Sequence, residues 1–166
     1  MRLYTFFALA LMVQIGASQE NIQELLEKYN TNSVPYISVS ELDDSDSTPF
    51  LLDARSLEEY QISHLKNAIH IGYDDFAIEM VKVYVNNKDS NIVVYCSLGI
   101  RSEDIASQLV EAGYTNVKNL YGGIFEWKNQ NKAVYNFKDQ VTDSVHAFSR
   151  SWSKWLNSGV KVFAKE

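Results

Sequence analysis

Ile92-Val93-Val94-Tyr95 is apolar at all four positions. A strand with one wet face alternates apolar and polar residues, whereas a strand covered on both faces does not. Phe50-Leu51-Leu52 has the same unbroken character and ends in Asp53. Two such runs in a chain of 166 residues demand layers of structure on either side of a sheet, within one ordinary domain. The segments between the apolar runs supply those layers. Residues 21–29 place Ile22, Leu25 and Leu26 at helical spacing, and residues 102–112 do the same with Ile105, Ala106, Leu109 and Val110. Ser56 reads as the cap of a short helix over 57–62, with Glu59 three residues on. A further helix is expected to start at Asp74 and run through Phe76, Met80 and Val83. Residues 36–39, 68–71 and 117–121 read as further short strands. Strands alternating with helices predict an α/β fold around a largely parallel sheet.

In such sheets ligands sit beyond the carboxyl ends of the strands. Cys96 lies at one such end, and Asp53 and Arg55 lie at another. Cys96 is the single cysteine of the chain, so no internal disulfide is available to it. It opens the loop Cys96-Ser97-Leu98-Gly99-Ile100-Arg101-Ser102, which leads straight into the helix over 102–112. Backbone N–H groups of such a loop can converge on an anion. Gly99 permits the tight curl. Arg101 offers a fixed charge and Ser102 a cap for the helix. The nearest anion for this setting is the Cys96 thiolate, which predicts a depressed pKa and a nucleophile. The alternative is a cysteine that merely packs in the core.

The flanks of the chain read differently. Arg2 precedes an apolar stretch to Val13, followed by small residues Gly16-Ala17-Ser18 and polar Gln19-Glu20. This is the layout of a secretory signal peptide over residues 1–18, with an apolar part short for a membrane span. An N-terminal anchor or a buried helix is the alternative. The expectation is an exported protein, periplasmic in a diderm bacterium and otherwise secreted, with no integral membrane span after cleavage. The net charge of −6 becomes one unit more acidic when Arg2 is removed, and no basic cluster suggests nucleic acid as a partner. Residues 135–166 place Val145, Phe148, Trp152, Trp155 and Leu156 at helical spacing, with Asn157-Ser158-Gly159 as a stop. A C-terminal helix packed on the body is expected; a contact with a partner or a membrane surface is the alternative.

Three stretches in order resemble the rhodanese family: "LLDARSLEEYQISHLKNAIHI", "VVYCSLGIRS" and "LVEAGYTNVKNLYGGIFEWKNQNKAV". The resemblance implies a rhodanese-like domain over residues 19–134, with about five mostly parallel strands and helices on both faces. It implies a sulfurtransferase that carries sulfane sulfur as a persulfide on Cys96, with Arg101 and residues Ser97, Leu98, Gly99, Ile100 and Ser102 as the substrate cradle. The donor would be a small sulfur-containing anion such as thiosulfate or a persulfide, and the acceptor a small-molecule or protein thiol. Apart from that covalent persulfide no cofactor is implied, and three scattered histidines make no metal site. A phosphatase branch of the family has a longer loop; here four residues separate Cys96 from Arg101, which suits a sulfur-sized group. Ser97 stands where the family often has a basic residue, leaving Arg101 as the loop's only charge.

Asp53, Arg55 and Glu59 are candidate support for the pocket, Asp53 accepting loop N–H bonds and Arg55 pairing with Glu59. His64 is read as a structural histidine in a turn, and Gly122-Gly123 as a close-packing pair before a helix in preference to a phosphate cradle. Two other functions stay open at this stage. One is a rhodanese-fold binding or sulfur-carrier module with little turnover. The other is thiol-based phosphatase or arsenate chemistry.

Overall fold

A computed structural model describes residues 21–45 and 48–164. The export signal expected over residues 1–18 lies outside the described residues. Among the described residues, no helix is long and apolar enough to cross a membrane.

Five parallel strands form the central sheet: β1 (Tyr36–Ile37), β2 (Phe50–Asp53), β3 (Ile69–His70), β4 (Ile92–Tyr95) and β5 (Val117–Leu120), in the order β1-β5-β4-β2-β3. Between them run α1 (Ile22–Tyr29), α2 (Val39–Asp43), α3 (Leu57–Ile62), α4 (Ile78–Tyr84) and α5 (Arg101–Glu111), and α6 (Gly123–Asn129) follows β5. The unbroken apolar run of β4 has the expected cause. Val93 and Tyr95 belong to a core cluster that includes Leu25, Ile124 and Phe125, while Ile92 and Val94 belong to a second one with Val81, Ile105 and Leu109. Alternate side chains thus enter opposite layers, and both are buried.

The helix starts follow local chemistry in three cases. Asn21, Ser38 and Ser56 each accept a bond from the backbone three residues on, and Glu24, Glu41 and Glu59 each reach back to the cap N–H. α4 departs from expectation: it begins at Ile78, and Ala77 at its start gives no side-chain cap.

The chain runs from β2 outward to β3, returns to β4 and continues to β5 on the other side. The direction of winding therefore reverses between β2 and β4, whose carboxyl ends lie side by side with Asp53 opposite Tyr95. This is the switch point at which open parallel sheets hold ligands. The loop after Tyr95 and the turn after Asp53 form its two walls.

The C-terminal segment is docked on the body but is not the expected helix. It forms β6 (Val134–Tyr135) antiparallel to β7 (Val141–Thr142), then β8 (Ser144–His146) parallel to β9 (Val160–Val162). Only Trp152–Trp155 makes a short 3-10 helix. Valines at 145, 160 and 162 suit strands, and Ala147 N–H continues the ladder to the Val162 carbonyl at 2.8 Å. Phe148 then takes a left-handed turn at φ 62, which no helix contains. Val145, Ala147 and Leu156 are fully buried in the same cluster as β4's Val93 and Tyr95. The helical spacing of the apolar residues came from two different tasks, core filling by Val145 and Leu156 and a half-exposed aromatic wall by Phe148, Trp152 and Trp155. Two bridges tie the segment down: Lys128 Nζ to Asp143 at 2.7 Å, and Asn129 to the Trp155 carbonyl and the Asn157 N–H.

Candidate active site

Cys96 is buried just past the carboxyl end of β4 and lines a cavity of about 150 Å³. The loop that follows curls around that sulfur. Gly99, at φ 105, turns its N–H to the sulfur at 3.1 Å, a conformation that a side chain would strain. Asn30 and Asn119 each donate a side-chain amide to the Gly99 carbonyl at 2.8 Å and hold the curl from behind.

Ser102 does not cap α5. The helix starts one residue earlier, at Arg101, and Ile100 before it provides no side-chain cap. This leaves N–H groups of the first turn unclaimed, and that of Ser102 is directed to the sulfur. The Ser102 hydroxyl has one proton and two acceptors within reach, Asn119 Oδ1 at 2.7 Å and the Cys96 sulfur. Burial opposes ionisation of the thiol, yet the charge of Arg101 and the hydrogen bonds from Ser102 and Gly99 outweigh it, so the pKa of Cys96 lies below that of an ordinary thiol.

The loop is locked from the other side by α6. The N–H groups of Ile124 and Phe125 donate to the carbonyls of Cys96 and Ser97 at 2.9 and 3.1 Å. Gly123 makes this approach feasible: a Cβ there would lie 2.3 Å from the Cys96 carbonyl oxygen. Close packing is thus the use of the glycine pair.

Residues 38–130 match the rhodanese-like domain. The chain belongs to the rhodanese-like domain family. Curated relatives include the tRNA uridine(34) hydroxylases of Photorhabdus laumondii, 36% identical over 92 residues, and of Pectobacterium carotovorum, 35% identical over 98 residues. These alignments cover 54% and 57% of this chain but only 26% and 27% of the relatives, so the chain spans about a quarter of their length. Among solved structures, a thiosulfate sulfurtransferase from Pseudomonas aeruginosa is similar with a TM-score of 0.56 and 23% identity, over 74% of this chain and 23% of that one. A rhodanese-related protein from Thermoplasma volcanium gives a TM-score of 0.52 and 24% identity, over 61% of this chain and 97% of that one. At these identities the structural likeness speaks for the fold.

The charged residues of this rhodanese-like site pair differently from expectation. Arg55 does not pair with Glu59. It is fully buried and bonds Asp53 at 2.6 Å and the Ser63 carbonyl at 2.6 Å. Asp53 also accepts the backbone N–H of Arg55 at 3.0 Å, so it does take a loop N–H as read. Neither lines the cavity. Glu59 instead receives both forks of Arg101, at 2.9 Å each. The Ser97 hydroxyl donates to Glu59 at 3.0 Å and accepts from Arg101 at 3.1 Å, closing a three-residue network of which Ser97 and Arg101 line the cavity. Glu59 is held down to about 2: burial opposes its ionisation, but the bonds and charge of Arg101, the charge of Arg55 and the Ser56 N–H prevail. Arg101 is therefore no free cation awaiting an anion; one guanidinium serves a carboxylate and the nearby sulfur together.

His64 is structural as read. It stacks on Tyr60 with ring centroids 4.1 Å apart, and its backbone bridges to Tyr135. Among the described residues, no group of His, Cys, Asp and Glu converges as a metal site.

Three residues of the site, Asn119, Phe148 and Trp152, escaped the sequence reading. Glu59 was placed near the pocket but with the wrong partner. Asn119 sits in an otherwise well-patterned strand, Val117-Lys118-Asn119-Leu120, and a polar residue at a buried position of that strand was its only signal. Phe148 and Trp152 complete the cavity, whose other walls are Ser97, Leu98, Ile100 and Arg101. They lie beyond the matched stretch, and no local pattern announced that the C-terminal segment folds back over the cysteine loop.

Proposed function

We propose that this chain is a sulfurtransferase that carries sulfane sulfur as a persulfide on Cys96. The observation that supports this most is the convergence of Gly99 N–H, Ser102 and Arg101 on one buried sulfur that opens into a cavity. Such a donor set favours the thiolate, and equally a persulfide whose outer sulfur bears the charge.

The chemistry balances without a further reactant. The thiolate attacks the outer sulfur of a donor R–S–SH; the new Cys96 S–S bond forms as the donor's S–S bond breaks, and R–S⁻ leaves with the electron pair. With thiosulfate as donor the leaving group is sulfite. An acceptor thiolate then attacks the outer sulfur of the persulfide, and Cys96 returns as thiolate held by the same donors. Two half-reactions through a covalent intermediate predict ping-pong kinetics. Thiol-based phosphatase chemistry is disfavoured by the Glu59–Arg101 pair, since a phosphate dianion needs a guanidinium whose forks are available.

The proposal is tested by intact mass spectrometry after incubation with thiosulfate or inorganic polysulfide. A gain of one sulfur atom, absent in Cys96→Ser, is expected. No added mass with any sulfane donor would leave a binding module on a rhodanese fold.

A further inference from the structure

Resting on that reading, we infer that the C-terminal segment makes this site selective for small organic persulfides with an apolar group, held against Phe148 and Trp152. The cavity over Cys96 is walled by Leu98, Ile100, Phe148 and Trp152, with Ser97 and Arg101 as its polar members. About 150 Å³ of space is roughly five water volumes at ~30 Å³ each, enough for a ring or a short branched chain beside the reacting sulfur.

Charge argues in the same direction. A small dianion needs uncompensated positive charge, and the loop carries one cation, whose two forks are bound by Glu59. Ser97 adds none. The chain as a whole is acidic at −6, so no long-range field draws anions in. An apolar group on the donor needs none of this; it exchanges water for ring contacts.

The aromatic wall is built in place. Phe148 is fixed by its left-handed turn, its N–H donates to His146 Nδ1 at 3.2 Å, and the Arg101 guanidinium lies over its ring at 4.8 Å. Trp152 meets Phe148 edge-on at 6.4 Å and Tyr29 of α1 at 5.9 Å. Phe148 remains 46% exposed, so its ring has surface to offer a ligand. In the reaction the donor's outer sulfur bonds to Cys96, its S–S bond breaks, and the apolar thiolate departs past the two rings.

The test compares benzyl persulfide with cysteine persulfide, which share the reacting S–S bond and differ in the group carried. Sulfur addition to Cys96 of the full chain is followed by intact mass, and each rate is divided by that of the same donor with a free small thiol. A preference for the benzyl donor of at least about tenfold is expected, the lower range of what one apolar contact can discriminate. Phe148→Ala and Trp152→Ala should each collapse that ratio. Phe148→Leu, which keeps an apolar filler, covers the case in which the alanine variant fails to fold. Protection of wild-type Cys96 from iodoacetamide by benzyl methyl sulfide, which has no sulfane sulfur, reads the same pocket without turnover and is expected at millimolar concentration. Sulfur addition from both donors without preference, or a ratio unchanged in folded variants, overturns the selectivity and leaves sulfur transfer standing. No sulfur from any donor overturns both.

Discussion

Two carboxylate–guanidinium pairs draw on residues 53–59, and they do different work. Asp53–Arg55 is sealed, with both side chains fully buried. Its third partner is the Ser63 carbonyl, and the guanidinium stands over the Tyr95 ring at 5.6 Å. Every neighbour belongs to the scaffold: the end of β2, the turn after α3, and the core. Glu59–Arg101 joins α3 to the cysteine loop and keeps Arg101 20% exposed. Its guanidinium touches Ser97 and Phe148 as well, and its charge lowers the Cys96 thiol. The sealed pair positions backbone and reaches the site only through the charge of Arg55 on Glu59. A pair whose guanidinium lines the cavity can position a loop and bias an ionisation at once.

The largest effect expected is from Arg55→Ala. It leaves Asp53 buried without its cation and should cost about 3–5 kcal/mol, measured by urea unfolding. The alkylation pH profile of Cys96 in whatever remains folded should barely move. A large shift in that profile would make Arg55 part of the site and end the distinction. Arg101→Ala comes next. It leaves Glu59, 3% exposed, without its cation, at about 2 kcal/mol, less than for a sealed pair because Arg101 meets water. The thiol also loses its cation, so alkylation at pH 7 should fall about tenfold for each unit by which its pKa rises. A charge serving only a passing anion would have spared the stability; this one holds a buried carboxylate too. Adding Glu59→Gln to Arg101→Ala separates the two roles. Stability should largely return while the slow alkylation persists.

Acid sharpens the comparison further. An unfolded Glu59 takes up its proton near 4.5, the folded one only near 2. Between those values the unfolded state binds more protons, so stability falls as pH falls. The contribution is present in full above 4.5 and lost toward 2. Glu59→Gln should flatten this limb of the stability–pH curve relative to wild type; an identical slope in the variant would mean that Glu59 does not carry it.

The same contrast explains what could be read from sequence. The fold was legible because burial on both faces of β4, and of the carboxyl end of β2, and the three reciprocal caps are local signals. The position of Cys96 past the end of β4 was legible from an apolar strand followed by a Gly-x-Arg loop. The pairing of the charges was not. Arg55 lies four residues before Glu59, yet Asp53 two residues back captures it, while Glu59 takes a partner forty-two residues on. Spacing along a helix suggests the first pairing; only the meeting of two loops at the switch point gives the second. The C-terminal segment misled for a related reason. Its aromatic spacing reads as helix, but the contacts that decide its course are made with β9, Lys128 and Asn129.

The smallest effect tests the finest part of the site. Ser102 was expected to cap a helix, where alanine would cost about 1 kcal/mol of stability. In the structure its hydroxyl instead chooses between Asn119 Oδ1 and the sulfur. With a neutral thiol, the proton belongs on Asn119, a conventional oxygen acceptor. With a thiolate, a charge-assisted bond to sulfur becomes the stronger option. Ser102→Ala should therefore raise the Cys96 pKa, and by less than Arg101→Ala does, since one bond among several is lost and the backbone donors of Gly99 and Ser102 stay in place. Burial of Ser102 and Asn119 adds a stability cost of about 1 kcal/mol for the orphaned amide oxygen. Ser102→Cys, which keeps a weak donor, should recover only part of that shift. Loss of stability with an unmoved alkylation midpoint would assign the hydroxyl to Asn119 alone and leave Arg101 as the one side chain that sets the thiol.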